Sequence, residues 1–155
     1  MEPVIMTKSK FMNTPIGLIA VRADDDAILA IEFVDQREET EADSPLLERA
    51  VDQLEEYFQG ARTRFSLPLA PRGTQFQQQV WQQLLSVNYG QTASYADIAR
   101  SIGRPKAMRA VGAANGRNPI SIVIPCHRVV GSDGSLTGYA GGLARKSWLL
   151  ALETD

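Results

Sequence analysis

Ser94-Tyr95-Ala96-Asp97-Ile98-Ala99-Arg100-Ser101-Ile102-Gly103-Arg104-Pro105-Lys106-Ala107-Met108-Arg109-Ala110-Val111-Gly112-Ala113-Ala114-Asn115-Gly116 is the stretch on which the fold of this chain turns. Ser94 and Asp97 have the spacing of a capping box, and Ile98, Ala99 and Ile102 bury one face, so a short helix is predicted, ended by Gly103. A second helix is predicted from Lys106 to Gly116, directly after Arg104-Pro105. Two short helices about a glycine-containing turn are a helix-turn-helix candidate. The outer face of the second helix is nearly all Ala and Gly, with Arg109 the one long side chain projecting from it. Bulky side chains suit a major groove, whereas a helix stripped to small residues lets its backbone come close, which suits the narrower minor groove. A tightly packed internal helix would have the same composition.

Working outward, Thr74 and Gln77 form another capping-box pair, and Phe76, Val80, Trp81, Leu84 and Leu85 make the buried stripe of a glutamine-rich helix. Leu67 to Gly73, with Pro68, Pro71 and Gly73, has the composition of a connector. The boundary is placed there, giving lobes 1–71 and 72–155. In the first lobe, Ser44-Pro45 starts a helix whose stripe runs Leu47, Ala50, Val51, Leu54, Tyr57 and Phe58 until Gly60. Three apolar runs precede it, Val4 to Met12, Ile16 to Ala23 and Ala27 to Val34, separated by turn-forming residues, and predict a three-stranded antiparallel meander. Asp35 to Asp43 is acidic, has no apolar period, and reads as an exposed loop.

The 155 residues are 44% hydrophobic and 22% charged, which suits an ordinary soluble protein of one domain or two small lobes. No run approaches the ~20 apolar residues of a spanning helix. Met1-Glu2-Pro3 lacks the basic-then-apolar order of a signal peptide, so a cytoplasmic location is expected. The net charge of -2 hides an asymmetry: residues 1–71 hold 14 acidic and 7 basic side chains, and residues 72–155 hold 4 and 9. A basic back half fits a lobe that faces phosphates.

The chain has one cysteine and one histidine, and they are neighbours. Intramolecular disulfides, multi-thiolate zinc sites and two-cysteine relays are therefore excluded. Asn118-Pro119 leads into Ile120 to Ile124, read as a buried extended run, which stops at Pro125 and delivers Cys126-His127-Arg128. Ionised cysteine is a strong nucleophile, and His127 is the base that can ionise it. Neighbours on a strand point to opposite faces, so the pair meets only on a turn or through a bridging water, and the bridge is expected. A carboxylate to orient His127 comes best from Glu153, at the end of a last helix from Leu143 to Glu153. Asp97 and Asp133 are alternatives, but Asp97 serves as a cap and Asp133 lies in the turn Ser132-Asp133-Gly134.

Ile124-Pro125-Cys126-His127-Arg128-Val129-Val130, with Arg109-Ala110-Val111-Gly112 and Asn118-Pro119 before it and Thr137-Gly138-Tyr139-Ala140-Gly141-Gly142 after it, resembles the 6-O-alkylguanine-DNA alkyltransferase family. The resemblance covers Thr74 to Glu153 without an evident gap and is loose in the front lobe. It implies an α+β protein: an N-terminal three-stranded antiparallel sheet with a helix, ribonuclease-H-like, then a C-terminal winged helix-turn-helix lobe.

By the same resemblance the activity would be that of a methylated-DNA-protein-cysteine methyltransferase, acting once per molecule because its thioether product cannot be cleaved. Cys126 would accept the alkyl group, His127 would deprotonate it through water, and Glu153 would orient His127. Asn118 would hold the loop that presents Cys126, and Tyr95 would share a proton with the departing base. Tyr139, Ala140, Gly141 and Val129 would form the pocket for the base. Arg109 would insert into the stack as the base is extruded, with Ala110 and Gly112 permitting close approach and Ser94, Thr92, Arg104 and Lys106 touching the backbone.

No nucleotide, metal or methyl-donor cofactor is expected. The expected partner is double-stranded DNA carrying alkylated guanine, with no membrane partner, and the expected state is a monomer, with cooperative loading on DNA left open. Relatives with zinc ligands in the front lobe differ from this chain, whose Cys and His are both in the back lobe. Ala140 stands where some relatives have serine, which bears on lesion preference. A non-catalytic lesion-binding relative is the rival reading, and Cys126 argues against it. A plain helix-turn-helix regulator would leave Cys126, His127 and Asn118 unexplained, and a thiol hydrolase lacks an evident oxyanion site.

Overall fold

The computed structural model describes residues 7–38 and 41–154. Val4 to Met6 of the first apolar run, and Glu39 and Thr40 of the acidic loop, lie outside the described residues. Two compact units divide at Pro71 and Arg72.

In the first unit, β1 (Lys8–Thr14), β2 (Gly17–Ala23) and β3 (Ile28–Val34) form an antiparallel sheet in sequence order. Side chains close both turns. Thr14 Oγ1 accepts from the Ile16 N–H at 3.1 Å, and Asp24 Oδ1 accepts from the Asp26 and Ala27 N–H groups at 2.8 Å each. These local bonds set the register, with Phe11 opposite Ala20 and Val21 opposite Ile31. Helix α1 (Pro45–Phe58) is capped by Ser44 and packs on β1 and β2 with Leu47, Ala50, Val51, Leu54 and Tyr57 buried.

Two segments for which no element was expected, the exposed acidic loop and the connector, are tied to this sheet. The acidic loop is pinned by the Glu38 contact to Arg22, the Asp43 contact to Lys10, and the Phe11 N–H donating to Glu41 at 3.0 Å. The start of the connector forms a parallel bridge from Leu69 to Ile28. An edge strand with unpaired backbone groups recruits the nearest extended chain, which composition alone does not reveal.

In the second unit, α2 (Gln75–Leu84) is followed by β4 (Ala93–Ser94), α3 (Tyr95–Ser101), α4 (Met108–Gly116), a 3₁₀ turn (Cys126–Arg128), β5 (Val129–Val130) and α5 (Leu143–Thr154). Capping boxes at Thr74 and Ser94 start α2 and α3. Trp81 joins the bundle: its Nε1–H donates to the Ala114 carbonyl at 2.8 Å. Gly73 is required beneath that ring, because a Cβ there would lie 2.4 Å from the Trp81 side chain. Leu85 falls past the end of α2 and is 42% exposed, outside the stripe assigned to it.

Gly103, at φ +76°, ends α3 in the left-handed conformation. Helix α4 begins at Met108, two residues later than the pattern suggested, because Arg104 to Ala107 close a turn in which the Ala107 N–H donates to the Arg104 carbonyl. Ser94 does double duty, since it caps α3 and pairs in parallel with Val130. No helix among the described residues is long and apolar enough to cross a membrane.

Candidate active site

The segment before the cysteine is buried but not extended. Residues 121–123 form a turn, and Ile122 adopts φ +73°, a strained value for a β-branched residue. The expected strand from Ile120 to Ile124 is thereby corrected; the extended pairing comes after Cys126, where Val129–Val130 pairs with β4. Asn118 accounts for the difference. Its Oδ1 accepts from the Ile120 N–H at 3.0 Å, and its Nδ2 donates to the carbonyls of Ile120 at 3.3 Å and Ile124 at 2.8 Å. One side chain thus satisfies the backbone groups a partner strand would have taken. Asn115, from α4, donates to the Cys126 carbonyl at 3.2 Å and fixes the far end of the turn.

Cys126 is 3% exposed. Burial pushes its thiol up to about 11, although Asn118 and the cation of Lys146 pull the other way. The resting thiol is therefore protonated at neutral pH and needs a base. His127 is fully buried, and its Nε2 lies 2.7 Å from Glu153 Oε2. At that distance from a carboxylate Nε2 is the protonated nitrogen, which leaves Nδ1 as a lone-pair acceptor. Nδ1 is buried and has no hydrogen-bond partner among the described residues. Burial also lowers the His127 pKa, against the opposing pull of Glu153, so the ring is neutral and able to accept a proton.

Glu153 is held in turn by Arg128, whose Nε donates to Oε1 at 2.7 Å and whose Nη2 donates to Oε2 at 3.0 Å. Arg128 Nη1 donates to the Val87 carbonyl at 2.7 Å, which ties the end of α5 to the segment after α2. Lys146 is also buried, and its Nζ donates to the carbonyls of Val129 at 2.5 Å and Thr137 at 2.7 Å. Burial lowers its pKa, with Cys126 opposing.

Sequence reading missed Arg128, Lys146 and Asn115 as site residues. A signal was available on α5, where Lys146, Leu149 and Glu153 share the buried stripe at helical spacing. Polar side chains on an apolar stripe mark a buried network. Of the alternative carboxylates, Asp97 accepts from the Ser94 N–H at 2.9 Å and Asp133 from the Ser135 N–H at 3.0 Å, so each is engaged in its own turn.

A cavity of about 520 Å³ opens beside this network. Tyr95, Met108, Arg109, Gly112, Thr137, Tyr139 and Ala140 are among the residues lining it. Gly141 and Val129 are not among them, and neither is Cys126 itself. Val129 is fully buried, with its carbonyl taken by Lys146. Tyr139 is buried, and burial raises its pKa against the opposing pull of the Ser121 side chain. Arg109 and Ala110 are exposed at the start of α4, Lys106 is exposed in the turn before it, Thr92 is exposed before β4, and Ser94 is half-buried. Arg100, Arg104, Lys106 and Arg109 place four exposed cations within ten residues of the helix-turn-helix. Arg104 is also stacked over the Phe76 ring, 5.7 Å from its centroid.

Two family models match the chain. One, described as the ribonuclease-like domain of 6-O-methylguanine DNA methyltransferase, spans residues 7–71, and the DNA binding domain of the same family spans residues 75–155. A methylated-DNA--protein-cysteine methyltransferase of Methanosarcina barkeri is 47% identical over 150 residues, covering 93% of this chain and 95% of that one. The crystal structure of the Mycobacterium tuberculosis 6-O-methylguanine methyltransferase superimposes with a TM-score of 0.88 at 45% identity, covering 96% and 93% of the two chains. The M. tuberculosis protein in complex with DNA superimposes with a TM-score of 0.86 at 45% identity over 96% and 92%. With both units matched and near-full-length relatives at this identity, the chain belongs to the 6-O-methylguanine DNA methyltransferase family.

Proposed function

We propose that this chain repairs 6-O-alkylguanine in double-stranded DNA by moving the alkyl group to Cys126, once per molecule. The observation that carries the reading is the buried Glu153–His127 pair, whose open Nδ1 belongs to the residue next to the only cysteine. The thiol gives its proton to His127 through a bridging water, and the sulfur attacks the alkyl carbon in line with the bond to O6. The carbon–sulfur bond forms as the carbon–oxygen bond breaks. Guanine departs as a neutral base once Tyr95 supplies a proton. The alkyl group comes from the DNA itself, so the balanced reaction calls for no nucleotide, metal or methyl donor.

The base must leave the stack before it can be attacked. Arg109 on the exposed first turn of α4 fills the space it leaves, while Ala110 and Gly112 let the helix approach the minor groove. Thr92, Ser94, Arg104 and Lys106 hold the phosphates and sugars, and Tyr139 and Ala140 shape the pocket. On this reading residues 72–155 carry DNA binding and chemistry, residues 1–71 form a separate supporting lobe, and the protein acts as a monomer in the cytoplasm.

The test is to mix the protein with a short duplex carrying one 6-O-methylguanine and take an intact mass and a peptide map. The expected result is a gain of one methylene mass on Cys126, saturating at one per chain and absent in Cys126→Ala. Duplex binding with no mass gain would replace this reading with that of a non-catalytic lesion-binding protein.

A further inference from the structure

Thr137 makes a contact that the alkyl-transfer reading does not use. Its Oγ1–H donates to the Tyr95 hydroxyl oxygen at 2.9 Å, across 42 residues of sequence, and both side chains line the cavity. We infer that Thr137 is a positioning residue for proton delivery: it fixes the Tyr95 hydroxyl so that the phenolic hydrogen points into the cavity. The inference rests on the reading of Tyr95 as the group that protonates the departing base.

A tyrosine hydroxyl has one hydrogen and two lone pairs. With one lone pair filled by Thr137, the hydrogen is directed away from Thr137. Much of the surrounding wall, formed by Met108, Gly112, Gly116, Gly131, Gly138 and Ala140, carries no polar side chain to divert it. The ring itself lies over Gly112, where a Cβ would stand 3.8 Å from Tyr95 Cδ1 and Cε1.

Thr137 is anchored from behind, because Lys146 Nζ donates to its carbonyl at 2.7 Å and to the Val129 carbonyl at 2.5 Å. Lys146 thereby links the loop that carries Thr137 to the strand that follows Cys126. The donor is thus held in register with the nucleophile. When the proton passes from Tyr95 Oη to a ring nitrogen of the base, the oxygen left behind keeps the Thr137 hydrogen bond, which strengthens as charge develops on it.

The experiment is a double-mutant cycle on the single-turnover rate of Cys126 methylation, read by intact mass, with duplex affinity measured in parallel. Wild-type protein serves as the control for the underlying function: no methylation of wild type would defeat the alkyl-transfer reading itself. With wild type active, Thr137→Val is expected to slow transfer about tenfold, the worth of one hydrogen bond, with duplex affinity unchanged. Thr137→Ser restores the hydroxyl and is expected to restore most of the rate. In a Tyr95→Phe background, Thr137→Val is expected to cost nothing further. An equal loss in both backgrounds, or a Thr137→Ser variant as slow as Thr137→Val, would make Thr137 a packing residue and overturn the inference.

Discussion

Glu153 Oε2 lies 2.7 Å from His127 Nε2, and both side chains are almost completely shielded from water. The same carboxylate takes two donors from Arg128. Glu153 therefore holds the His127 ring, the proposed base, and neutralises a buried guanidinium at once, and these duties separate by mutation. Glu153→Gln leaves Arg128 buried without its counter-charge, an arrangement that costs about 3–5 kcal/mol. Urea unfolding should report a loss of that order, and the single-turnover methylation rate should fall. Adding Arg128→Met should recover much of the stability and none of the rate. Recovery of both would show that Glu153 acts on folding alone.

The buried thiol, pushed up to about 11, should be slow toward small alkylating reagents. Against an ordinary cysteine near 8.5 the thiolate fraction at neutral pH is lower by roughly 10²-fold. Iodoacetamide labelling at pH 7.5, followed by intact mass, should be slower in the native protein than in urea by at least that factor. Equal rates would mean that the thiol is exposed or already ionised.

Stability should fall on the acid side of neutrality. Burial holds the folded-state pKa of His127 below its ordinary value, so in the interval beneath about 6.5 the unfolded chain binds a proton that the folded chain refuses. Stability is then fully present above about 6.5 and is lost as pH falls through that interval. The carboxylates at Asp43, Asp97 and Glu38 are shifted downward and titrate at lower pH. The urea midpoint should be lower at pH 5.5 than at pH 7.5, and a flat midpoint would contradict a neutral buried histidine.

Arg109 sits exposed on the first turn of α4 and also lines the cavity. Unstacking a base costs a few kcal/mol, and an inserted side chain offsets part of that cost. Arg109→Ala should slow repair of duplex 6-O-methylguanine by about 10-fold to 100-fold. Transfer from the free alkylated base should hardly change. Equal losses on the two substrates would remove Arg109 from base extrusion.

Helix starts and stops were readable because they are local. Ser44, Thr74 and Ser94 cap helices through bonds to residues three positions on, and the apolar spacing of α1 states which face is buried. The adjacency of Cys126 and His127, and the family motif around them, likewise lie in one short stretch. The conformation of residues 118–124 was not readable in the same way. An apolar run with no polar marks suits a buried strand or a buried turn equally, and the choice falls to where its backbone hydrogen bonds go, here to the Asn118 side chain.

By itself, then, the sequence determined the three-stranded meander, the helix starts and the adjacency of Cys126 and His127, the proposed nucleophile and base. Tertiary structure alone decided which charges could be buried around them. Arg128 finds the Val87 carbonyl 41 residues away and Glu153 25 residues away, and Lys146 reaches both Val129 and Thr137. A charged side chain on an apolar face is stable only once its partners are in place. Those partners come from remote segments, and no local pattern announces them.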